Sequence, residues 1–209
     1  MRDSDIRNKP VLHSQIEAKS QEIGFTMPSD LYIGVLLKTL IASKPAGNFL
    51  ELGTGIGLSL SWMIDGMDHA ATLTTLDNDP KLTTLASNFF GKDPRVAVIC
   101  ADGAEWIQLY TGPAFDLIFA DAWPGKYSQL DETLAMLKPG GLYVIDDMLP
   151  QPNWPEGHAA KAEALIELLE NRNDFHLTKM NWSTGVILMA KKATGDLKSN
   201  TYKLFSNYS

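Results

Sequence analysis

The sequence has few of the residues on which several classes of protein depend. It contains a single cysteine, Cys100, among 209 residues. One cysteine cannot form an internal disulfide framework, which fits a reducing compartment, and its place in an apolar run predicts a small buried side chain. No apolar run approaches the roughly 20 residues of a membrane-spanning helix, and residues 1–10 are polar, unlike a signal peptide. We therefore expect a cytoplasmic location and no membrane partner.

Positive charge is also scarce. There are 18 Lys and Arg residues against 25 Asp and Glu residues, which gives a net charge of −7 and an isoelectric point near 5.0. A protein that binds a phosphate backbone needs a basic face, so this balance argues against a nucleic-acid partner and favours a small molecule.

Internal repeats, low-complexity tracts and an interdomain linker are absent as well. We therefore predict one domain over residues 1–209, with N-terminal helices in 1–45 that cover the site, a core in 46–192 and a polar tail in 193–209. The tail is predicted either to fray or to dock on a partner through scattered aromatic residues, which are Tyr202, Phe205 and Tyr208.

Predicted strands and helices alternate along the core. Such alternation predicts a mostly parallel sheet with helices on both faces, which is an α/β fold. The last two predicted strands are separated by only a few residues and must form an antiparallel hairpin. The predicted strands are Asn48–Leu52, Thr72–Leu76, Val96–Cys100, Phe115–Ala120, Gly141–Ile145, His176–Met180 and Gly185–Ala190. The predicted helices are Ser59–Met67, Pro80–Phe90, Ala104–Leu109, Gln129–Leu137 and Glu156–Asn171, after a helical N-terminal part that ends near Ser43.

A glycine-rich turn follows the first predicted strand. The stretch Phe49–Gly57 places Gly53, Gly55 and Gly57 at alternate positions between the strand and a helix start. Because glycine has no Cβ, the backbone of such a turn can pass close to a ligand. The spacing differs from the dinucleotide pattern G-x-G-x-x-G, and the carboxylate of Glu51 suits a cationic amino acid better than a phosphate. The stretch resembles the cofactor loop of class I S-adenosylmethionine-dependent methyltransferases.

Acidic residues recur where the predicted strands end. In a parallel sheet these ends meet at one edge, where α/β proteins bind their ligands. Five carboxylates at one edge therefore predict a binding site. They are Glu51, Asp77, Asp102, Asp121 and Asp146.

Four of the residues near this edge have candidate roles toward S-adenosylmethionine. Asp77 can accept hydrogen bonds from the ribose hydroxyls or cap the helix that begins at Pro80, although Asp79 is better placed for that cap. Asp102 can accept from the adenine amino group or cap the next helix, with Glu105 completing a capping box. Glu51 can accept from the α-amino group or pair with the N-terminal helices. Met27 can cover the sulfonium or pack in the core.

Three carboxylates follow the fourth and fifth strands, which we expect to be neighbours. Asp121 ends one strand, and Asp146 and Asp147 end the other. Like charges brought together raise one another's pKa, and a divalent cation with a preference for oxygen ligands would remove that cost. The cluster therefore predicts Mg²⁺, Mn²⁺ or Ca²⁺, with a solvated acidic rim as the alternative.

Taken together, these features make the chain similar to the catechol and caffeoyl-CoA O-methyltransferase family from about Thr26 to Lys191. The resemblance implies a Rossmann-like methyltransferase fold with a seven-stranded sheet. It also implies a metal held by Asp121 and by Asp146 with Asp147. Such a metal chelates two vicinal oxygens of a small aromatic acceptor and favours the ionised hydroxyl that attacks the methyl group.

The chain departs from that family's pattern at two positions. Asp147 stands where the family usually has asparagine, and Pro124 stands where catechol methyltransferases have their lysine base. Lys126 can replace that lysine as a base or an electrostatic partner, beside Asp121 as the other candidate catalytic residue, or it can be an exposed lysine at a helix start. His158 is an alternative base, although we expect it to begin a helix and to face water.

The proline-rich segment 148–158 follows the metal pair, and we expect it to shape an aromatic acceptor pocket with Trp123 and Trp154. Other functions remain open at this stage. One is a metal-independent methyltransferase that uses Lys126 or His158, and another is a cofactor-binding module without catalysis. A nicotinamide-dependent dehydrogenase fits the glycine spacing and the hairpin least well. The sequence leaves the oligomeric state open, with a homodimer as one option.

Overall fold

The computed structural model describes residues 2–193, so the predicted tail lies outside the described residues from 194 onward. Seven strands form one sheet in the order β3-β2-β1-β4-β5-β7-β6. The strands are β1 (Asn48–Leu52), β2 (Thr72–Asp77), β3 (Val96–Cys100), β4 (Phe115–Ala120), β5 (Leu137–Ile145), β6 (Phe175–Met180) and β7 (Val186–Lys191). The helices are α1 (His13–Glu22), α2 (Leu31–Ala42), α3 (Leu58–Gly66), α4 (Pro80–Phe90), α5 (Gly103–Leu109), α6 (Leu130–Ala135) and α7 (His158–Glu170).

The strand directions confirm the predicted α/β fold with its C-terminal hairpin. Strands β1 to β5 pair in parallel with their neighbours, whereas β7 is antiparallel to both β5 and β6. A strand that is antiparallel to its two neighbours leaves the other six pointing the same way. The connections leave β1 toward β2 and β3, then return across the sheet to β4 and β5. The chain therefore reverses its direction of winding between β1 and β4, which is where open α/β sheets bind ligands.

Alternating side chains of the buried strands feed two separate cores. In β4, Leu117 and Phe119 pack on the face covered by α1 to α4, whereas Ile118 and Ala120 pack on the face covered by α5 to α7. All four side chains are fully buried. This two-residue period is what a strand covered by helices on both faces requires.

Three boundaries differ from the predictions by more than one residue. Helix α6 ends at Ala135 rather than at Leu137, since Leu137 pairs with Phe115 and already belongs to β5. Helix α7 begins at His158 rather than at Glu156, directly after Gly157. Strand β5 begins at Leu137, four residues before the predicted Gly141, and the other predicted strands and helices of the core agree to within one residue.

Cys100 corrects another prediction. It is exposed rather than buried, because β3 is the edge strand of the sheet. Among residues 2–193, no helix is both long enough and apolar enough to cross a membrane.

Candidate active site

A cavity of about 540 Å³ opens at the carboxyl edge of the sheet, above the point where the winding reverses. Its walls come from the turn after β1, the ends of β2, β4 and β5, and the segment between α1 and α2. Carboxylates line much of the cavity, and the lysine that lines it is Lys126. The acidic residues of the wall are Asp30, Asp77, Asp79, Asp121, Asp146 and Asp147.

The glycine turn is held by backbone contacts as well as by its own conformation. Gly53 has φ +102, and a Cβ built there would lie 2.7 Å from the backbone oxygen of Asp121, so a larger residue would push β4 away. The Gly55 N–H donates to Oδ2 of Asp77 at 2.9 Å, which ties the turn to the end of β2. Gly53 and Gly55 line the cavity as predicted.

Gly57 has a different place from the other two glycines. It is the residue before α3 and does not line the cavity. A Cβ there would lie 3.1 Å from the ring of Phe90, so α4 packs closely against it. The structure therefore assigns the predicted third ligand-facing glycine to helix packing.

Glu51 lies beneath the cavity and not in its wall. The side chain is fully buried, and its two oxygens accept from the hydroxyls of Ser59 and Thr75, each at 2.6 Å. Burial raises the pKa of Glu51 to about 7, although the two hydroxyl donors oppose this rise. Glu51 is fully buried and does not line the cavity, so its contact with an amino group stays a prediction from the sequence.

Asp77 and Asp79 divide the two tasks expected at the end of β2. Asp77 lines the cavity, and its Oδ1 accepts from the Asp79 N–H at 3.0 Å. Asp79 caps α4 by accepting from the N–H groups of Lys81 and Leu82. Because Asp79 supplies the helix cap, Asp77 does not have to. Each oxygen of Asp77 accepts one backbone N–H, so its carboxylate still has lone pairs for a ligand.

Asp102 caps helix α5. Its side chain is exposed and accepts from the N–H of Glu105 at 2.9 Å, which is half of the predicted capping box. It does not line the cavity. Of the two roles predicted for Asp102, the structure shows the helix cap.

The segment between α1 and α2 forms the wall opposite the strands. Met27 lines the cavity and is 67% exposed, so it is not a core residue. Asp30 caps α2 and also accepts from the hydroxyl of Ser183. Ser29 donates to Oδ2 of Asp121 at 3.4 Å, which connects this wall to the end of β4.

The carboxylates after β4 and β5 lie close enough to influence one another. Burial, followed by the negative charge of Asp146, raises the pKa of Asp121 well above its usual range. Burial raises the pKa of Asp146 to about 6 and also raises the pKa of Asp147. Oδ1 of Asp146 accepts from the Asp147 N–H at 2.8 Å and from the hydroxyl of Thr184.

These residues do not fit the metal site predicted from the sequence. A hard cation needs several oxygens directed at one point. Within the described part of the chain, no three side chains from His, Cys, Asp and Glu form such a group. Asp146 is 2% exposed, and Oδ1 is engaged by Thr184 and Asp147. Asp121, Asp146 and Asp147 line one cavity, but they do not converge as a ligand set.

Lys126 is buried, which corrects the alternative of an exposed lysine at a helix start. Only 5% of it is exposed, and Nζ donates to the backbone oxygen of Asp146 at 2.7 Å. Helix α6 begins four residues later, at Leu130. The dipeptide Pro124-Gly125 is the sequence signal that would have predicted a turn here instead of a helix start.

Aromatic rings close the cavity beside Lys126. His158 packs 4.4 Å from Trp154 between ring centres, and its Nε2 lies 3.2 Å from the hydroxyl of Tyr127. The ring centre of Trp123 lies 5.4 Å from that of Tyr127. His158 is 8% exposed, so it does not face water as expected, and burial lowers its pKa. Tyr127 and Thr184 are wall residues that the sequence analysis did not identify, since no local pattern marks them.

The sequence matches the O-methyltransferase family over residues 3–186. A protein of Mycobacterium sp. (strain JLS) that is named as an O-methyltransferase is 32% identical over 118 residues, covering 54% of each chain. This chain therefore spans about half the length of the curated relatives that it matches.

Solved structures extend the similarity of the fold over most of the chain. An O-methyltransferase from Bacillus cereus in complex with S-adenosylhomocysteine has a TM-score of 0.77 at 18% identity, covering 91% of this chain and 94% of that one. The O-methyltransferase TomG from Streptomyces achromogenes, in complex with S-adenosylmethionine, has a TM-score of 0.78 at 20% identity with the same coverage.

Proposed function

Since the chain belongs to the O-methyltransferase family, we propose that it transfers the methyl group of S-adenosylmethionine to an oxygen of a small aromatic acceptor. The observation that carries this proposal is the composition of one cavity. A glycine turn and carboxylates line one part of it, and aromatic rings beside a buried ammonium line the other. The first part suits a cationic cofactor, and the second suits a flat acceptor that develops negative charge on oxygen.

The charge of the cavity supports S-adenosylmethionine over a nicotinamide dinucleotide. A sulfonium and an α-amino group are both cationic, whereas a pyrophosphate would meet repulsion from the carboxylates. Asp77 lines the cavity and accepts from the N–H of Gly55 in the glycine turn, which supports its proposed role as an acceptor from the ribose hydroxyls. We propose that Met27, at the opposite wall, covers the sulfonium, and we leave Asp102 as a predicted adenine contact.

The aromatic wall supports a small planar acceptor. Trp123, Tyr127, Trp154 and His158 form a contiguous group of rings, and such groups bind flat ligands by offset or edge-on contacts. Nζ of Lys126 lies 5.8 Å from the ring centre of Tyr127 and donates to the backbone oxygen of Asp146. An acceptor ring held here would place a hydroxyl near its ammonium.

The transfer requires the acceptor oxygen to lose its proton and to lie in line with the carbon–sulfur bond. When bound, S-adenosylmethionine supplies an electrophilic methyl group and a neutral thioether leaving group. We propose that the carboxylate of Asp121 receives the hydroxyl proton and that Lys126 stabilises the negative charge on oxygen. The ring wall holds the acceptor in position and excludes water.

A divalent cation at Asp121, Asp146 and Asp147 remains a prediction from the sequence resemblance. The arrangement of these residues does not fit it, so the proposed steps do not use a metal. A cytoplasmic location and a homodimer likewise remain predictions.

Binding measurements test the cofactor. We expect S-adenosylhomocysteine, and not NAD, to bind the purified chain in calorimetric titrations. Asp77→Ala should weaken that binding at least about tenfold, because each hydrogen bond to a carboxylate contributes about 1.5–3 kcal/mol. Asp116→Ala is a matched control near the amino end of β4, on the side of the sheet away from the cavity, where the carboxylate pairs with Lys138. Preferential binding of NAD would contradict the proposal.

Transfer of label tests the reaction. Methyl-radiolabelled S-adenosylmethionine should label at least one member of a panel of phenols, catechols and hydroxycinnamates. Tight binding of the cofactor without labelling of any member would favour the alternative of a binding module.

A further inference from the structure

We propose that the ammonium of Lys126 occupies the electrostatic position of the predicted divalent cation and supplies the positive charge at the acceptor oxygen. The inference rests on the proposed methyl transfer and deepens it by naming the group that takes the place of the metal. It starts from a disagreement between the sequence and the structure. The carboxylates expected to hold a cation surround one cavity, yet their oxygens do not form a ligand set.

The ammonium shares the cavity with those carboxylates. Its Nζ contacts the backbone oxygen of Asp146 at the end of β5, and its positive charge acts on Asp121, Asp146 and Asp147. A buried positive charge is costly unless negative groups compensate it. The three carboxylates that line the same cavity provide that compensation.

The ammonium also keeps the capacity to bind an acceptor. An ammonium has three N–H donors, and one of them is used by the backbone oxygen of Asp146. Within residues 2–193, Nζ makes no other hydrogen bond and no ion pair with a carboxylate. Lys126 lines the cavity, so the other two donors are available to an oxygen that enters it.

A rigid turn holds Lys126 in this position. Its N–H donates to the backbone oxygen of Trp123 at 3.1 Å, with Pro124 and Gly125 between them. Gly125 has φ +89, as the third position of a type II turn requires, and its backbone oxygen accepts from the hydroxyl of Tyr143. The lysine is therefore anchored at its backbone by the turn and at Nζ by β5.

The step balances without a metal. The acceptor hydroxyl gives its proton to a carboxylate of the cavity, and the oxygen, held by the ammonium, forms a bond to the methyl carbon. The carbon–sulfur bond breaks, and its electron pair remains on sulfur. The products are the methyl ether, S-adenosylhomocysteine and one proton.

A cation titration tests the inference without knowledge of the acceptor. Mn²⁺ is titrated calorimetrically into the protein saturated with S-adenosylhomocysteine. We expect no one-site binding to the wild type. Lys126→Ala removes the ammonium and leaves three carboxylates uncompensated, so this variant should bind Mn²⁺ at one site, with an affinity at least about tenfold above the detection limit that applies to the wild type. Lys126→Met should gain affinity in the same direction while keeping the volume of the side chain.

The control is Lys161→Ala, which removes a lysine whose Nζ lies 4.4 Å from the ring of Trp123 but which does not line the cavity. This variant should gain no affinity for Mn²⁺. One-site binding to the wild type that Asp121→Ala abolishes would overturn the inference, as would unchanged affinity in both Lys126 variants. Retained binding of S-adenosylhomocysteine in each variant separates these outcomes from a failure of the proposed function itself.

Discussion

Glu51→Gln should make the stability of the protein less sensitive to rising pH. Glu51 is fully buried below the glycine turn, between the hydroxyls of Ser59 and Thr75. Its pKa rises from an ordinary value of 4.5 to about 7, mainly because burial disfavours the carboxylate. Glutamine has nearly the same shape, and both hydroxyls can adapt to an amide by reversing one hydrogen bond.

The sign of the effect follows from proton linkage. Below pH 4.5 the carboxyl is protonated in the folded and unfolded states, so ionisation costs nothing. Between pH 4.5 and about 7 the unfolded chain loses the proton first, and stability falls as pH rises. Above pH 7 the full cost is present, and at about 1.4 kcal/mol for each pKa unit it amounts to roughly 3 kcal/mol. Glutamine does not ionise and avoids this loss.

Denaturant unfolding at pH 5 and at pH 8 measures the difference. The free energy of unfolding of Glu51→Gln, relative to the wild type, should rise by about 2–3 kcal/mol between these two values. Glu163→Gln, at an exposed position of α7, controls for the removal of a carboxylate and should show a much smaller change. A stability difference for Glu51→Gln that does not vary with pH would refute the reasoning. Loss of S-adenosylhomocysteine binding in this variant would instead support the predicted contact between Glu51 and the α-amino group.

Two further substitutions test the supports of the site. Gly125→Ala should destabilise the protein by about 2 kcal/mol or more, because its Cβ would meet Leu52 at 2.5 Å in a left-handed conformation. Gly140→Ala, with φ +74 and open space, should cost about half as much in the same chemical denaturation assay, and equal costs would exclude the steric argument. Thr184→Val removes the hydroxyl that donates to Asp146 and should cost about 2 kcal/mol of unfolding free energy, measured against Thr178→Val on the exposed face of β6. Equal stability of those two variants would show that this hydrogen bond does not support the site.

Much of the site could be located from the sequence, but the direction of individual side chains could not. The strand ends placed Asp77, Asp121 and Asp147 at one edge, and all three line the cavity. Glu51 and Asp102 follow the same pattern, yet one points below the edge and the other caps a helix. A strand pattern predicts at which edge of the sheet a residue lies, whereas the groups that its side chain contacts come from other elements.

The sequence by itself determined the order of the elements, the parallel sheet and the final hairpin. These follow from apolar periodicity and from glycine and proline signals, which are local properties of the chain. The tertiary structure alone decided that Cys100 is exposed on an edge strand and that Lys126 is buried in the wall of an acidic cavity. Burial and charge compensation depend on which segments meet in space. For that reason the contact between Lys126 and the end of β5, twenty residues away along the chain, is visible only in the folded protein.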